Sequence, residues 1–129
     1  MKVIRIVATD DGESRFTEID IPIENAEQIF GETVHSSNAF TCPNMKFYAF
    51  PASLKMESWH GSPIPQIVLI LSGGLEIETG DGEKRQWRAG ELFIADDTHG
   101  KHKMRAIEGP GYLLNIPLPP NFDIERGSA

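Results

Sequence analysis

Cysteine is nearly absent. Cys42 is the only one in 129 residues, so no disulfide can close within the chain, and stability has to come from packing and hydrogen bonding. Runs of Lys and Arg are missing as well. Acids outnumber bases 19 to 12, the formal net charge is −7, and no positive cluster stands out. Nucleic acid and anionic membrane surfaces are therefore not expected as partners. Long apolar runs are also lacking. The longest purely aliphatic run is Ile67–Leu71, against the roughly 20 residues that a membrane-spanning helix needs. The opening MKVIRIVATDD meets two aspartates before any long apolar run, unlike a secretory leader. The expectation is a soluble cytoplasmic protein in a reducing compartment. Three chemical signatures are absent too: a Gly-rich phosphate loop, a CxxC pair and a serine nucleophile elbow. Cys42 has no Lys or Arg within three residues in sequence and reads as an inert thiol.

What is present is a rhythm of short apolar segments and turns. The length fits one domain over residues 1–129. Asp11-Gly12, Gly73-Gly74, Asp81-Gly82, Ala89-Gly90 and Gly109-Pro110-Gly111 punctuate segments rich in Val, Ile, Leu and Phe. That pattern predicts an all-β sandwich or barrel. Strands are expected at 2–7, 15–21, 45–50, 66–72, 75–79, 83–88, 91–95, 102–108 and 112–117. One short helix is expected over Glu24–Gly31, with Asn25 as its N-cap and Gly31 as its stop. Leu75–Thr79 alternates apolar and acidic residues and turns through Asp81-Gly82 into 83–88, which predicts a hairpin. Ile67–Leu71 is apolar on both faces, so a second layer should cover it. A partner subunit would supply that layer, which predicts a homodimer. Gly127-Ser128-Ala129 carries no fold information.

One stretch, WHGSPIPQIVLILSG from Trp59 to Gly73, concentrates the chemistry. Alternate side chains of a strand share a face, so Gln66 goes with Val68 and Ile70, and His102 with Met104 and Ala106. His60, Ser62, Gln66 and Gly73 follow the spacing of the first cupin motif: His, any residue, His, three residues, Glu, six residues, Gly. The second His of that motif is Ser62 here and the Glu is Gln66. Gly90 opens the second motif, whose histidine is His102 after a one-residue shift, or His99 if the loop is shorter. The stretch 96–102, DDTHGKH, and the opening Asp11–Phe16 resemble a group of small bacterial cupins without an agreed activity. The chain thus resembles the cupin family, over about residues 45–118 for cupins in general and over nearly the whole chain for that group. This implies a single cupin-type double-stranded β-helix, a jelly-roll barrel of about eight to ten antiparallel strands.

The resemblance also implies a pocket inside the barrel. A mononuclear cupin metal normally takes three histidines and one carboxylate. This chain offers His60, His102 and the neutral oxygen of Gln66, and an amide does not offset the charge of a dication. A divalent metal (Fe, Mn, Ni, Cu or Zn) would need a further ligand from Asp96, Asp97 or His99. The leading expectation is therefore an enzyme without a tightly held metal. Imidazoles shuttle protons near neutral pH, so His60 and His102 would be acid and base, with Gln66 binding a substrate oxygen. Val68, Ile70 and Met104 would form apolar walls, with Tyr48 and Trp59 stacking on a flat ligand. The reaction would be an isomerisation, elimination or ring closure next to a carbonyl of a small molecule. A mononuclear metalloenzyme, oxygenase or lyase, and a non-catalytic ligand-binding module remain as alternatives. Plainer readings stand beside these. His60 can be a loop histidine with a backbone partner, and Gln66 can simply satisfy backbone groups. His35 and His99 read as solvated, Asp96 and Asp97 as turn formers. Tyr48 and Trp59 can be core aromatics, and Trp87 should pack at a barrel end.

Overall fold

The computed structural model describes residues 1–119 and 122–123; Gly127-Ser128-Ala129 lies outside them. Ten strands follow one another: β1 (Lys2–Ala8), β2 (Ser14–Asp20), β3 (Asn25–Ile29), β4 (Glu32–Ser36), β5 (Lys46–Phe50), β6 (Lys55–His60), β7 (Gln66–Thr79), β8 (Lys84–Arg88), β9 (Leu92–Asp96) and β10 (His102–Pro117). No helix occurs among the described residues, so none is long and apolar enough to cross a membrane. The fold is all-β.

Two long strands organise it. The first half of β7 pairs with β9, its second half with β8, and β10 runs antiparallel beside both halves. β10 pairs with β6 through residues 102–105 and with β5 through residues 111–115. The result is two sheet halves that share β7 and β10, the layout of a jelly roll. The order β2-β1-β9-β7-β10-β5 continues one half, while β6 and β8 flank the other. The strands do not close into a ring, and the pairing is not wholly antiparallel, since β1 runs parallel to β9. Segments 66–72 and 75–79, expected as separate strands, are thus one bent strand, and so are 102–108 and 112–117. Both bends fall at glycines. Gly73 has φ +79°, a conformation that side chains resist. A Cβ at Gly111 would collide with the Phe50 ring and the Ser72 carbonyl, and one at Gly73 would lie 3.0 Å from Phe50 Cζ. Register shifts between β7 and β10 gather at these bends.

The core lies between the halves. Ile6, Ile70, Leu75 and Ile77 are fully buried there, with Phe50, Val68, Trp87, Phe93 and Leu113 around them. Trp87 is therefore a core residue, packed on Phe93 at 4.5 Å between ring centroids. β9 alternates as a strand buried on both sides must: Phe93 and Ala95 face this core, while Ile94 joins Val3, Ile21 and Leu118 in a second cluster. Ile67 packs against that second cluster. The layer over the start of the Ile67–Leu71 run is thus supplied by the chain itself, and Leu71 at its end is exposed.

Turn chemistry repeats. Thr9-Asp10-Asp11-Gly12-Glu13 joins β1 to β2 and Thr79-Gly80-Asp81-Gly82-Glu83 joins β7 to β8. In both, the threonine N–H donates to the glutamate carbonyl (2.8 and 3.0 Å) and the glycine N–H to the threonine carbonyl (3.0 Å each). The aspartate accepts from the threonine hydroxyl and from the glutamate N–H. The glycines take φ +82° and +85°. The segment expected as a helix is instead a third hairpin, β3–β4, which pairs only with itself. Asn25 starts a strand and caps nothing. Gly31 does stop its element, as the second residue of a two-residue turn with Phe30, at φ +49° and +83°.

Candidate functional site

β6 and β10 run side by side with His60 opposite His102 and Met56 opposite Met104. Alternation turns His60, Met56, His102 and Met104 toward the space between the sheet halves. The intervening Trp59 points outward, where it is 41% exposed and carries the Lys103 ammonium 4.5 Å above its ring. A cavity of about 390 Å³ opens there, lined by the two histidines, Ser62, Gln66, Asn115 and apolar walls from Phe50, Leu54, Val68, Ile77, Phe93 and Leu113. Tyr48 lines it while staying 44% exposed. Ile70 does not line it; it sits fully buried in the core.

The two imidazoles are 4.7 Å apart between centroids and tilted by 55°. His60 Nδ1 lies 2.9 Å from the Ser58 carbonyl. A carbonyl only accepts, so Nδ1 carries the proton and Nε2 is left for a ligand. His102 is held more elaborately. Its Nδ1 lies 2.5 Å from Asp97 Oδ2, which also accepts from the Ser14 hydroxyl at 2.5 Å. Asp97 Oδ1 accepts from the Ser62 N–H at 3.2 Å. A carboxylate surrounded by donors fixes the histidine as an Nδ1–H donor and aligns its ring. Asp97 is fully buried and His102 is 5% exposed, so this contact is shielded from water.

Asp97, expected as a turn former, is instead a buried partner of His102. The second Asp of a DDTHG stretch reads as a turn former, and its partner Ser14 lies 83 positions away. Close packing holds the arrangement: Gly61 abuts the 97–100 loop so tightly that a Cβ there would meet the Asp97 and Gly100 carbonyls. Asp96 also departs from the turn-former reading. Its carboxylate takes the Arg5 guanidinium, with Arg5 Nε 3.0 Å from Oδ2, away from the cavity. His99 and His35 are exposed.

Gln66 is where the motif spacing puts it, but both ends are engaged. Its Nε2 donates to Ser62 Oγ and its Oε1 accepts from Asn115 Nδ2, each at 3.1 Å. Ser62 Oγ donates onward to the Ile64 carbonyl at 2.5 Å. One N–H of Gln66 therefore remains for a ligand. Asn115, which the motif reading did not single out, faces Val68 across β7 and β10.

The metal implied by the cupin resemblance does not fit this donor set. Among the described residues no three His, Cys, Asp or Glu side chains are grouped to hold an ion. Asp97 is committed to His102, Ser14 and Ser62, and the Gln66 oxygen to Asn115. Two imidazoles fall short of the three protein ligands that catalytic zinc sites use. A larger depression, about 570 Å³, lies on the outer side of β6, β7, β8 and β10. Four of its charged residues form two ion pairs, with Arg105 Nε 2.8 Å from Glu76 and Lys55 Nζ 3.2 Å from Glu57, and Lys103 lies over the Trp59 ring. It is a charged surface depression, whereas the inner cavity joins apolar walls to a few convergent polar groups, the usual make-up of a small-molecule site.

No family model and no curated protein matches the chain. Among solved structures it is similar to the protein NMB1881 from Neisseria meningitidis, at 18% identity and a TM-score of 0.47, over 60% of this chain and 78% of that one. It is also similar to Drosophila melanogaster CENP-C bound to CAL1, at 17% identity and a TM-score of 0.43, over 73% and 74%. Likenesses this distant carry no argument about fold, ligand or partner.

Proposed function

We propose that this chain is a cupin-type protein whose inner cavity performs metal-free proton transfer next to the carbonyl of a small molecule. The observation that carries the reading is the buried Asp97–His102 contact, 2.5 Å long, with His60 beside it on the cavity wall. A buried carboxylate that itself accepts from Ser14 and Ser62 suits a general base, because a fixed tautomer keeps Nε2 basic and aimed. In this scheme His102 Nε2 removes a proton from the carbon adjacent to the carbonyl. The free N–H of Gln66 holds the enolate oxygen as charge develops on it. His60, protonated at both nitrogens, returns a proton to a neighbouring carbon, and the pair resets by passing the proton back. The net change is an isomerisation with no atom gained or lost. Asp97 touches no substrate and acts as a positioning residue.

Solvent exchange tests this. Neutral carbonyl compounds incubated with the protein in deuterium oxide should gain deuterium next to the carbonyl, followed by proton NMR. His60→Ala and His102→Ala should each lower the exchange rate by about 10²-fold or more, with circular dichroism close to the parent in both; His60→Ala should keep the melting temperature, whereas His102→Ala should lower it, because Asp97 loses a buried partner. Exchange that survives both substitutions would sink the proposal. Exchange abolished by chelation would assign the site to a metal instead. Binding without exchange for every compound would leave a ligand-binding module.

A further inference from the structure

Among the described residues the large sheet has four open edges, β2, β5, β6 and β8, each paired on one side alone. An open edge is a template for another strand, and proteins guard such edges with charge, proline or bulges. Three of the four are guarded: Arg15, Glu18 and Asp20 stand on β2, Lys55 and Glu57 on β6, and Lys84, Arg85 and Arg88 on β8. β5 is not. It reads Lys-Phe-Tyr-Ala-Phe, with a single charge at its first residue, no proline, and no register shift against β10. Its outer face is bare: Phe47 is 67% exposed, and Tyr112, opposite Ala49 on β10, is 60% exposed. Acids are missing around it as well. No Asp or Glu occurs from Thr33 to Met56 or from Gly109 to Phe122, and these stretches supply β5 and the half of β10 that it pairs with. A net charge of −7 makes copies of the chain repel one another, and this edge presents no carboxylate that adds to the repulsion.

We propose that two copies of the chain join along β5, strand to strand about a twofold axis, and that each lends a residue to the rim of the other's cavity. A strand paired antiparallel with its own copy sets its middle residue opposite itself. Here that residue is Tyr48. Phe47 then meets the partner's Ala49 and Lys46 meets the partner's Phe50, so no like charges face each other. Ala49 is small, which leaves room for the partner's Phe47 to reach the Tyr112 ring behind it on β10. Tyr48 lines the cavity while 44% exposed, and cross-strand neighbours share a face, so the partner's Tyr48 arrives at the same rim. Phe47, Tyr48 and Tyr112 expose on the order of 350 Å² per copy, taking about 200 Å² for an aromatic side chain. Two copies bring roughly 700 Å² before the paired backbone is counted, against about 1,200 Å² for the smallest stable interfaces, so the dimer is reversible with a dissociation constant on the order of micromolar. This assembly does not depend on the proton transfer proposed above.

Sedimentation equilibrium of the full-length protein at neutral pH should show a monomer–dimer mixture across about 1–100 µM. Phe47→Glu sets two carboxylates at the seam and should raise the dissociation constant about tenfold or more. Phe30→Glu makes the same change of charge at a phenylalanine away from β5 and should leave the constant in place. Cross-linking reads the register. With Cys42→Ser removing the native thiol, Tyr48→Cys should form a disulfide between copies on mild oxidation, and Val34→Cys should not. If Phe47→Glu fails to fold, this pair of cysteine variants decides the matter alone. A parent that stays monomeric throughout, a dimer indifferent to Phe47→Glu, or cross-linking no better through Tyr48→Cys than through Val34→Cys would each overturn the proposal.

Discussion

The β7–β8 and β3–β4 hairpins are of similar length and antiparallel, and they have little else in common. The first turns through Thr79–Glu83 with an aspartate holding the corner, and beneath it Leu75, Ile77 and Trp87 are buried in the core. The second turns through Phe30-Gly31 and pairs in perfect register, yet every side chain on it is exposed except the half-buried Ser36. Phe30 stands wholly in solvent, held at a positive φ that bulky residues avoid. Local geometry is enough to draw a hairpin, but only the buried face makes one part of the fold. An isolated two-stranded hairpin is marginal in water.

Core truncation should break the comparison most sharply. Leu75→Ala or Ile77→Ala should cost about 2–5 kcal/mol, whereas Val34→Ala on β3–β4 should stay within about 0.5 kcal/mol. Thermal unfolding measures both, and equal effects would mean that β3–β4 is packed after all. An intermediate effect is expected at the outer face of β7–β8. Glu76 is buried there, and hydrogen bonds from Arg105 first and Gln86 second hold its carboxyl below the usual range. A lowered carboxyl stabilises the fold above its unfolded-state value and loses that contribution as pH falls through the folded one. Arg105→Ala should therefore lower the melting temperature at neutral pH, and the two melting curves should converge on acidification through the glutamate range. A gap that persisted or widened in acid would remove Glu76 as the cause. The smallest effect should come from Phe30→Asn. Asparagine tolerates positive φ, so amide exchange across 25–36 should slow while the global melting temperature stays put.

The same contrast explains what could be read from the sequence. Strands with a buried face announced themselves, because burial writes an alternating or doubly apolar pattern: Leu75–Thr79, 91–95 and 102–108 all fell in place. The bends escaped as bends. Gly73-Gly74 and Gly109-Pro110-Gly111 read as strand ends, since a glycine that ends a strand and one that folds it look alike in a single chain. β3–β4 and β6 were missed for the opposite reason, having few or no buried side chains to set a period. At the site, motif spacing carried His60, Gln66 and His102 to one cavity. It could not reveal Asp97 or Asn115, whose roles come from contacts with Ser14 and with Gln66, 49 positions away.

Gly73 and Gly111 lie against the ring of Phe50, and that ring is part of the cavity wall. The bends of the two long strands therefore act as a gauge. Any side chain added at either glycine would have to be answered by a shift of the ring, and the open space beside it would shorten. The length of the cavity is thus set where the strands fold over, at two positions outside its lining.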